Sequence, residues 1–314
     1  MTYSAGGLIE ASDFNLRNGA AAANVSGQIN TVWSTGNGNA GYGQTAGANV
    51  SVGGTVNASD WATLINNLNA ARKHQSAGGY SNLTVPTASS TITFNSSLDT
   101  TLTSAYTNRL TAALNGTTVT GSNYTYNIFR SGGASLFTTR SGKIVFSTAD
   151  AARYFFNAGG KFNLIVSAVD NSGGSVRSTE MRDVINAAGG FTNYAGYTNS
   201  GRSGTGETVI TNDTNQGYWT IPYLTDRTIV RINSDYPDYD GMTAELTVYT
   251  YDNTTTNGAN GNEFWFRIKT NIPADDLFTT VVDVDVTARI DIIPPSAVYL
   301  TNSWGTPTIT WVAA

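Results

Sequence analysis

The strongest constraint on the fold lies after residue 217, where short runs of β-branched and aromatic residues follow one another between turn-forming segments. YWTIPYL (218–224), TIVRIN (228–233), AELTVYTY (244–251), EFWFRIKT (263–270), TTVVDVDVTARIDII (279–293) and PTITWV (307–312) all have strand composition. Several alternate apolar with polar residues, the period of a half-buried antiparallel strand. Within DVDVTARI, Asp283, Asp285 and Thr287 fall on one face and Val284, Val286 and Ala288 on the other. DYPDYDG (235–241), DNTTTNGANGN (252–262) and IPP (293–295) supply turn chemistry between the strands. Residues 201–314 therefore read as an all-β, sandwich-like unit.

Upstream, the apolar period changes. Trp61, Leu64, Ile65 and Leu68 recur at helical spacing and predict a helix over Asp60 to His74. Ser59 is placed to cap it, Asp60 sits at the positive end of its dipole, and Gly78-Gly79 stops it. Burying each of those four side chains, in the core or at a subunit contact, contributes about 1.5–3 kcal/mol. The helix belongs to an N-terminal helical attachment segment, residues 1–80. In residues 81–200, Leu98, Leu102, Tyr106, Leu110 and Leu114 predict a second helix. KIVF (143–146) predicts a strand, Thr148 to Phe156 a capped helix, and FNLIVSAV (162–169) a buried strand. Thr179 to Ala188 predicts a further helix, with Met181, Val184 and Ile185 on one face and Gly189-Gly190 as its left-handed exit. That order suggests a small α+β domain with a small mixed sheet. Residues 191–217, rich in Gly, Asn and Thr, read as a long exposed loop presenting Tyr194 and Tyr197. The class is α+β: a helix-containing N-terminal part, then an antiparallel sandwich-like C-terminal domain.

Composition narrows the function. Charged residues are 12% of the chain, about half the usual share, so surfaces of hydroxyls and amides carry little long-range repulsion and suit packing between copies. The formal charge of −5 is spread without a basic run, which argues against nucleic acid as a partner. There is no cysteine, hence no disulfide framework or thiolate chemistry. MTYSAGGLIE lacks the basic and apolar regions of a signal peptide, and no stretch approaches the roughly 18 apolar residues of a membrane span. The expectation is a soluble chain without membrane insertion.

Reactive constellations are sparse. The one histidine, His74, ends a helix and is expected to bond a terminal carbonyl or to sit at an interface. GRSGTGET (201–208) has phosphate-loop glycine spacing, but Glu207 stands where lysine belongs and would repel phosphate. Asp235, Asp238 and Asp240 crowd one turn as calcium loops do. Tyr236 and Thr247 occupy ligand positions of that register, so turn formation explains them better than a cation. Asp275-Asp276 reads as a helix or turn start. No catalytic, cofactor-binding or metal residue is assigned, and the chain is expected not to be an enzyme.

Several segments occur in a familiar order: LIEASDFN, GYGQ (41–44), VNASDWATLINNLNAARKHQ (56–75), RYFFNAGGKFNL (153–164) and VYTYD (248–252). Together they resemble a type of virion structural protein of tailed phages, especially those of cyanobacteria and marine bacteria, over about the first 250 residues. The resemblance implies a tail, baseplate, neck or fibre component made in the host cytoplasm and assembled with copies of itself and other virion proteins. It brings no catalytic residues. In RYFFNAGG, Tyr154, Phe155 and Phe156 end a short helix, and Gly159 and Gly160 permit a reversal into the next strand. Packing or interface roles fall to these five and to Trp61, Leu64, Ile65 and Leu68. Surface contact, including a host glycan, falls to Tyr194 and Tyr197. The alternative reading is a glycan-binding adhesin; a polysaccharide-degrading enzyme using paired aspartates ranks below it.

Overall fold

The computed structural model describes residues 10–87, 96–251, 258–274 and 281–312. Leu8, Ile9, the turn residues 252–257, the Asp275-Asp276 pair and residues 279–280 of the long strand lie outside the described residues.

Helices α1 (Ala11–Asn18), α2 (Ile29–Trp33), α3 (Ala58–Gln75) and α4 (Ser96–Thr107) form the N-terminal layer. α3 carries the expected apolar stripe, and Trp61, Leu64, Ile65 and Leu68 are all buried. Phe14 of α1 meets Trp61 edge-on at 5.1 Å, so the stripe is core within this chain. The helix start differs from expectation. Asn57, not Ser59, is the N-cap, and its backbone N–H donates to the Asp60 carboxylate at 2.7 Å. Asn caps as well as Ser, and only Asn57 has an acid three residues on to close a capping box. α4 stops at Thr107, leaving Leu110 and Leu114 beyond it. The Asn108 side chain donates to the Ser104 carbonyl at 2.9 Å, a local bond that competes with the next helical turn.

Helix α5 (Ala149–Asn157) is capped by Thr148, whose hydroxyl accepts the Ala151 N–H at 3.0 Å. Helix α6 (Val176–Ala188) starts earlier than its apolar face suggested, behind Ser175, and ends on Gly189 in the left-handed region at φ 60°. The strands are β1 (Val119–Thr120), β2 (Tyr124–Arg130), β3 (Leu136–Val145), β4 (Lys161–Asp170), β5 (Gly190–Tyr194) and β6 (Thr208–Asn212). They continue with β7 (Arg227–Asn233), β8 (Thr243–Tyr251), β9 (Glu263–Ile272), β10 (Val282–Ile293) and β11 (Thr308–Val312). The expected strand at 218–224 is a turn instead: Trp219 N–H donates to Gly196 O at 2.8 Å and Ile221 N–H to Gly217 O at 3.0 Å. Pro222 withholds the N–H that a central strand would need.

Two antiparallel sheets result. One runs β5–β4–β10, with β2 and β1 along the far side of β10; the other runs β11–β3–β9–β8–β7–β6. Their apolar faces meet where Phe162 of β4 packs against Phe264 of β9, centroids 4.7 Å apart. Helix α6 packs between them, touching β4 and β10 on one side and β7 and β8 on the other. Val284, Val286 and Ala288 of β10 point inward and are buried, as the alternation required. The α+β class holds, with sandwich-like sheets.

Each sheet draws strands from both sides of residue 200. β4 pairs with β10 in one, and β3 pairs with β9 in the other. The division at 200 therefore does not run between the sheets. Pairing between strands far apart in sequence leaves no local mark, whereas a shift in composition does.

Candidate functional site

Three of the segments singled out in the sequence, GYGQ, the end of α3 and RYFFNAGG, meet at one buried junction. The RYFFNAGG corner at the end of α5 lies against the GYGQ turn. The Asn157 side-chain amide donates to Gly41 O at 2.9 Å and to Gly38 O at 3.2 Å, and its oxygen accepts from Trp219 Nε1 at 3.0 Å. A Cβ on Gly43 would fall 2.4 Å from the Tyr154 ring, and one on Gly160 would fall 2.4 Å from the Phe155 ring. These glycines permit close packing that no larger residue allows. Tyr154, Phe155 and Phe156 are buried. Phe156 stacks on Tyr218 at 4.4 Å, and Phe155 and Phe156 meet edge to face at 5.2 Å.

The α3 helix joins the same junction through His74. Its Nε2 lies 2.9 Å from Ala158 O, so the neutral ring donates there, the carbonyl contact expected of it. Burial pushes the imidazole below its ordinary pKa, with the bond to Ala158 opposing. Gln75 donates to the Tyr42 hydroxyl at 3.0 Å, and Tyr42 donates to Arg109 O at 2.7 Å. Nothing here pairs a nucleophile with a base; the junction is architectural.

A cleft opens on its outer side. About 470 Å³ in volume, it is lined by Leu110, Thr111, Ala112, Phe156, Gly159, Lys161 and Ala195–Thr198. Gly159, at φ 89°, lets the chain turn from α5 into β4 and sets Lys161 at the rim. Tyr197 also lines the cleft. The residue is 38% exposed, and its hydroxyl accepts from Asn39 Nδ2 at 2.8 Å. Lys161, Thr111 and Thr198 escaped the sequence reading. Lys161 follows the glycine pair directly, and only the corner's geometry gives that position meaning.

Tyr194 is not on the surface. It is fully buried, its ring stacked on Phe162 at 5.2 Å and set against Phe264 at 5.1 Å. Burial drives its hydroxyl well above the ordinary tyrosine pKa. Residues 191–217 are likewise not one exposed loop but carry β5 and β6. Phe191 and Tyr194, three residues apart, both face inward because the pairing with β4 shifts register between Phe162 and Leu164, and Asn193 takes φ 52°. A bulge of this kind inserts a residue and restores the facing. The Gly/Asn context that reads as a loop is the composition such a bulge requires.

Two other arrangements were expected or are new. Asp238 and Asp240 do not join Asp235; among the described residues the carboxylates that converge are Glu180, Glu207 and Asp235, with oxygens within 4.8 Å of one another. Ser234 Oγ donates to Glu180 at 2.5 Å, and Asp235 N–H donates to Glu207 at 3.0 Å. Desolvation, with the negative charges of Glu180 and Asp235, pushes Glu207 up to about 7, against the Asp235 N–H. Glu207 thus binds this cluster rather than a phosphate. On the outer face of β8 and β9, Tyr249 and Trp265 stack at 5.6 Å, with Arg267 on Tyr249 and Lys143 on Trp265. Both rings of that stack thus already have a cation against them.

A smaller cavity of about 310 Å³ lies among Pro294, Pro295, Trp304 and Pro307, with Asn302 and Thr306 as its polar side chains. It holds no titratable group. Among the described residues no helix is long and apolar enough to cross a membrane. No protein-family model, curated protein or solved structure matches this chain.

Proposed function

We propose that this chain is a structural subunit of a tailed-phage particle, a tail, baseplate, neck or fibre component acting by oligomeric assembly and surface contact. The observation that carries the reading is the free edge at β11. Among the described residues TITWV pairs with β3 on one side only, in unbroken register, with no charge, proline or bulge along it. Soluble monomers blunt such edges, because an unprotected strand is a template for pairing with another chain. The opposite edge strand, β6, carries a register shift but exposes Val209 and Ile210. The motif resemblance supplies the particle; the edge supplies the means of assembly.

Sedimentation velocity of the purified chain, with mass spectrometry of purified particles, tests the reading. The chain should form a defined multimer. Thr310→Glu, which sets a charge on the free edge opposite Lys143, should reduce it to monomer with the fold intact. A wild-type chain that stays monomeric at every concentration and is missing from the particles would sink the proposal.

A further inference from the structure

We infer that the cleft beside the α5–β4 corner binds a saccharide unit carrying one carboxylate. The inference stands apart from particle assembly and asks only what the cleft accepts. At about 470 Å³ its size falls within the usual range for small-ligand sites. Its lining joins apolar wall (Ala112, Phe156), hydroxyls (Thr111, Thr198), the Tyr197 ring and a single charge, Lys161. No acid lines it.

Lys161 is the telling residue. The chain has four lysines. Lys143 pairs with Glu263 at 2.6 Å, Lys269 with Asp226 at 2.7 Å, and Lys73 lies over the Tyr299 ring at 5.6 Å. The Lys161 side chain alone has no ion pair, hydrogen bond or ring contact among the described residues. In a chain of net charge −5, an ammonium held clear of carboxylates at a concave site is open to an external anion. Tyr197 lines the same cleft, exposed but steadied by Asn39 at 2.8 Å. A tyrosine so placed offers a flat apolar face to the C–H side of a sugar ring while its rim stays polar. The Thr198 hydroxyl can donate to or accept from a ring hydroxyl, and the Thr111 hydroxyl, which donates to Asn108 O at 3.0 Å, can accept from one.

A monoanion fits better than phosphate. The cleft lies at the C-terminal end of α5, where the helix dipole is negative and penalises added negative charge. A single ammonium, without an arginine fork, offsets one charge and not two.

Ligand-observed NMR titration of the full chain with sodium glucuronate, glucose and inorganic phosphate decides the matter. Glucuronate should bind at about millimolar affinity, and glucose about tenfold more weakly. Lys161→Gln should cost glucuronate about tenfold and leave glucose unchanged, whereas Tyr197→Ala should weaken both sugars. Lys161→Arg should retain binding. Should Lys161→Gln fail to fold, the wild type still answers, because glucuronate affinity must then fall with ionic strength while that of glucose does not. Absence of glucuronate binding, indifference to Lys161→Gln or to salt, or phosphate binding as tight as glucuronate would each overturn the inference. None of these results bears on the β11 edge, and a monomeric chain would leave the cleft's ligand unaffected.

Discussion

Trp61 has no solvent-exposed surface, and the Phe14 ring is held edge-on against it. Trp61→Ala should lower stability by about 3–5 kcal/mol, measured by chemical denaturation of the isolated chain. A loss below about 1 kcal/mol would mean the ring is not core. Two groups, one buried and one half-buried, titrate with opposite consequences. His74 is held below its ordinary value of 6.5, chiefly by burial, so the unfolded chain takes up a proton that the folded chain refuses. Its contribution is intact above that value and is lost as pH falls. Glu207 is raised from 4.5 to about 7, so the folded chain keeps a proton that the unfolded chain releases. Stability therefore falls as pH rises across that window. The two effects oppose each other over the same range, so the wild-type melting temperature shows only their difference. His74→Gln should leave a profile that falls as pH rises between about 4.5 and 7, and Glu207→Gln one that falls as pH drops below about 6.5; unchanged profiles would refute the assignments.

At the scale of elements, helices were legible where capping and an apolar stripe agreed. α3 shows how far this goes, because its stripe fixed the buried face while its start fell at Asn57, two residues before the expected cap Ser59. Asn57→Ala should cost about 1 kcal/mol, whereas Ser59→Ala should change stability by no more than about 0.5 kcal/mol, measured as paired denaturation midpoints. Equal effects would remove the capping box. β5 was illegible for the opposite reason. Its bulge places aromatics three apart, a spacing that fits neither a regular strand nor a helix, among residues that favour turns. The cleft fared likewise: Phe156, Gly159 and Tyr197 were singled out, but Lys161 and the threonines gain a role only when the 110–112 and 195–198 segments close on the corner.

At the scale of the molecule, the two sheets interlock through strands from both halves of the chain, with α6 packed between them. Residues 201–312 alone would retain β6–β9 as a paired unit, while β10 and β11 would lose their partners β4 and β3. That fragment should show no cooperative thermal transition and few dispersed amide resonances. A cooperatively folding fragment would show that the sandwich does not depend on the first half.

The α+β class, the inward face of β10, the stripe of α3 and the aromatic corner were determined by the sequence alone, because each rests on periodicity or a local cap within a few residues. Tertiary structure decided which strands pair, where Tyr194 points and which side chains share the cleft and the carboxylate cluster. Those outcomes depend on contacts between residues far apart in the chain, and no local pattern of hydrophobicity or turn chemistry encodes them.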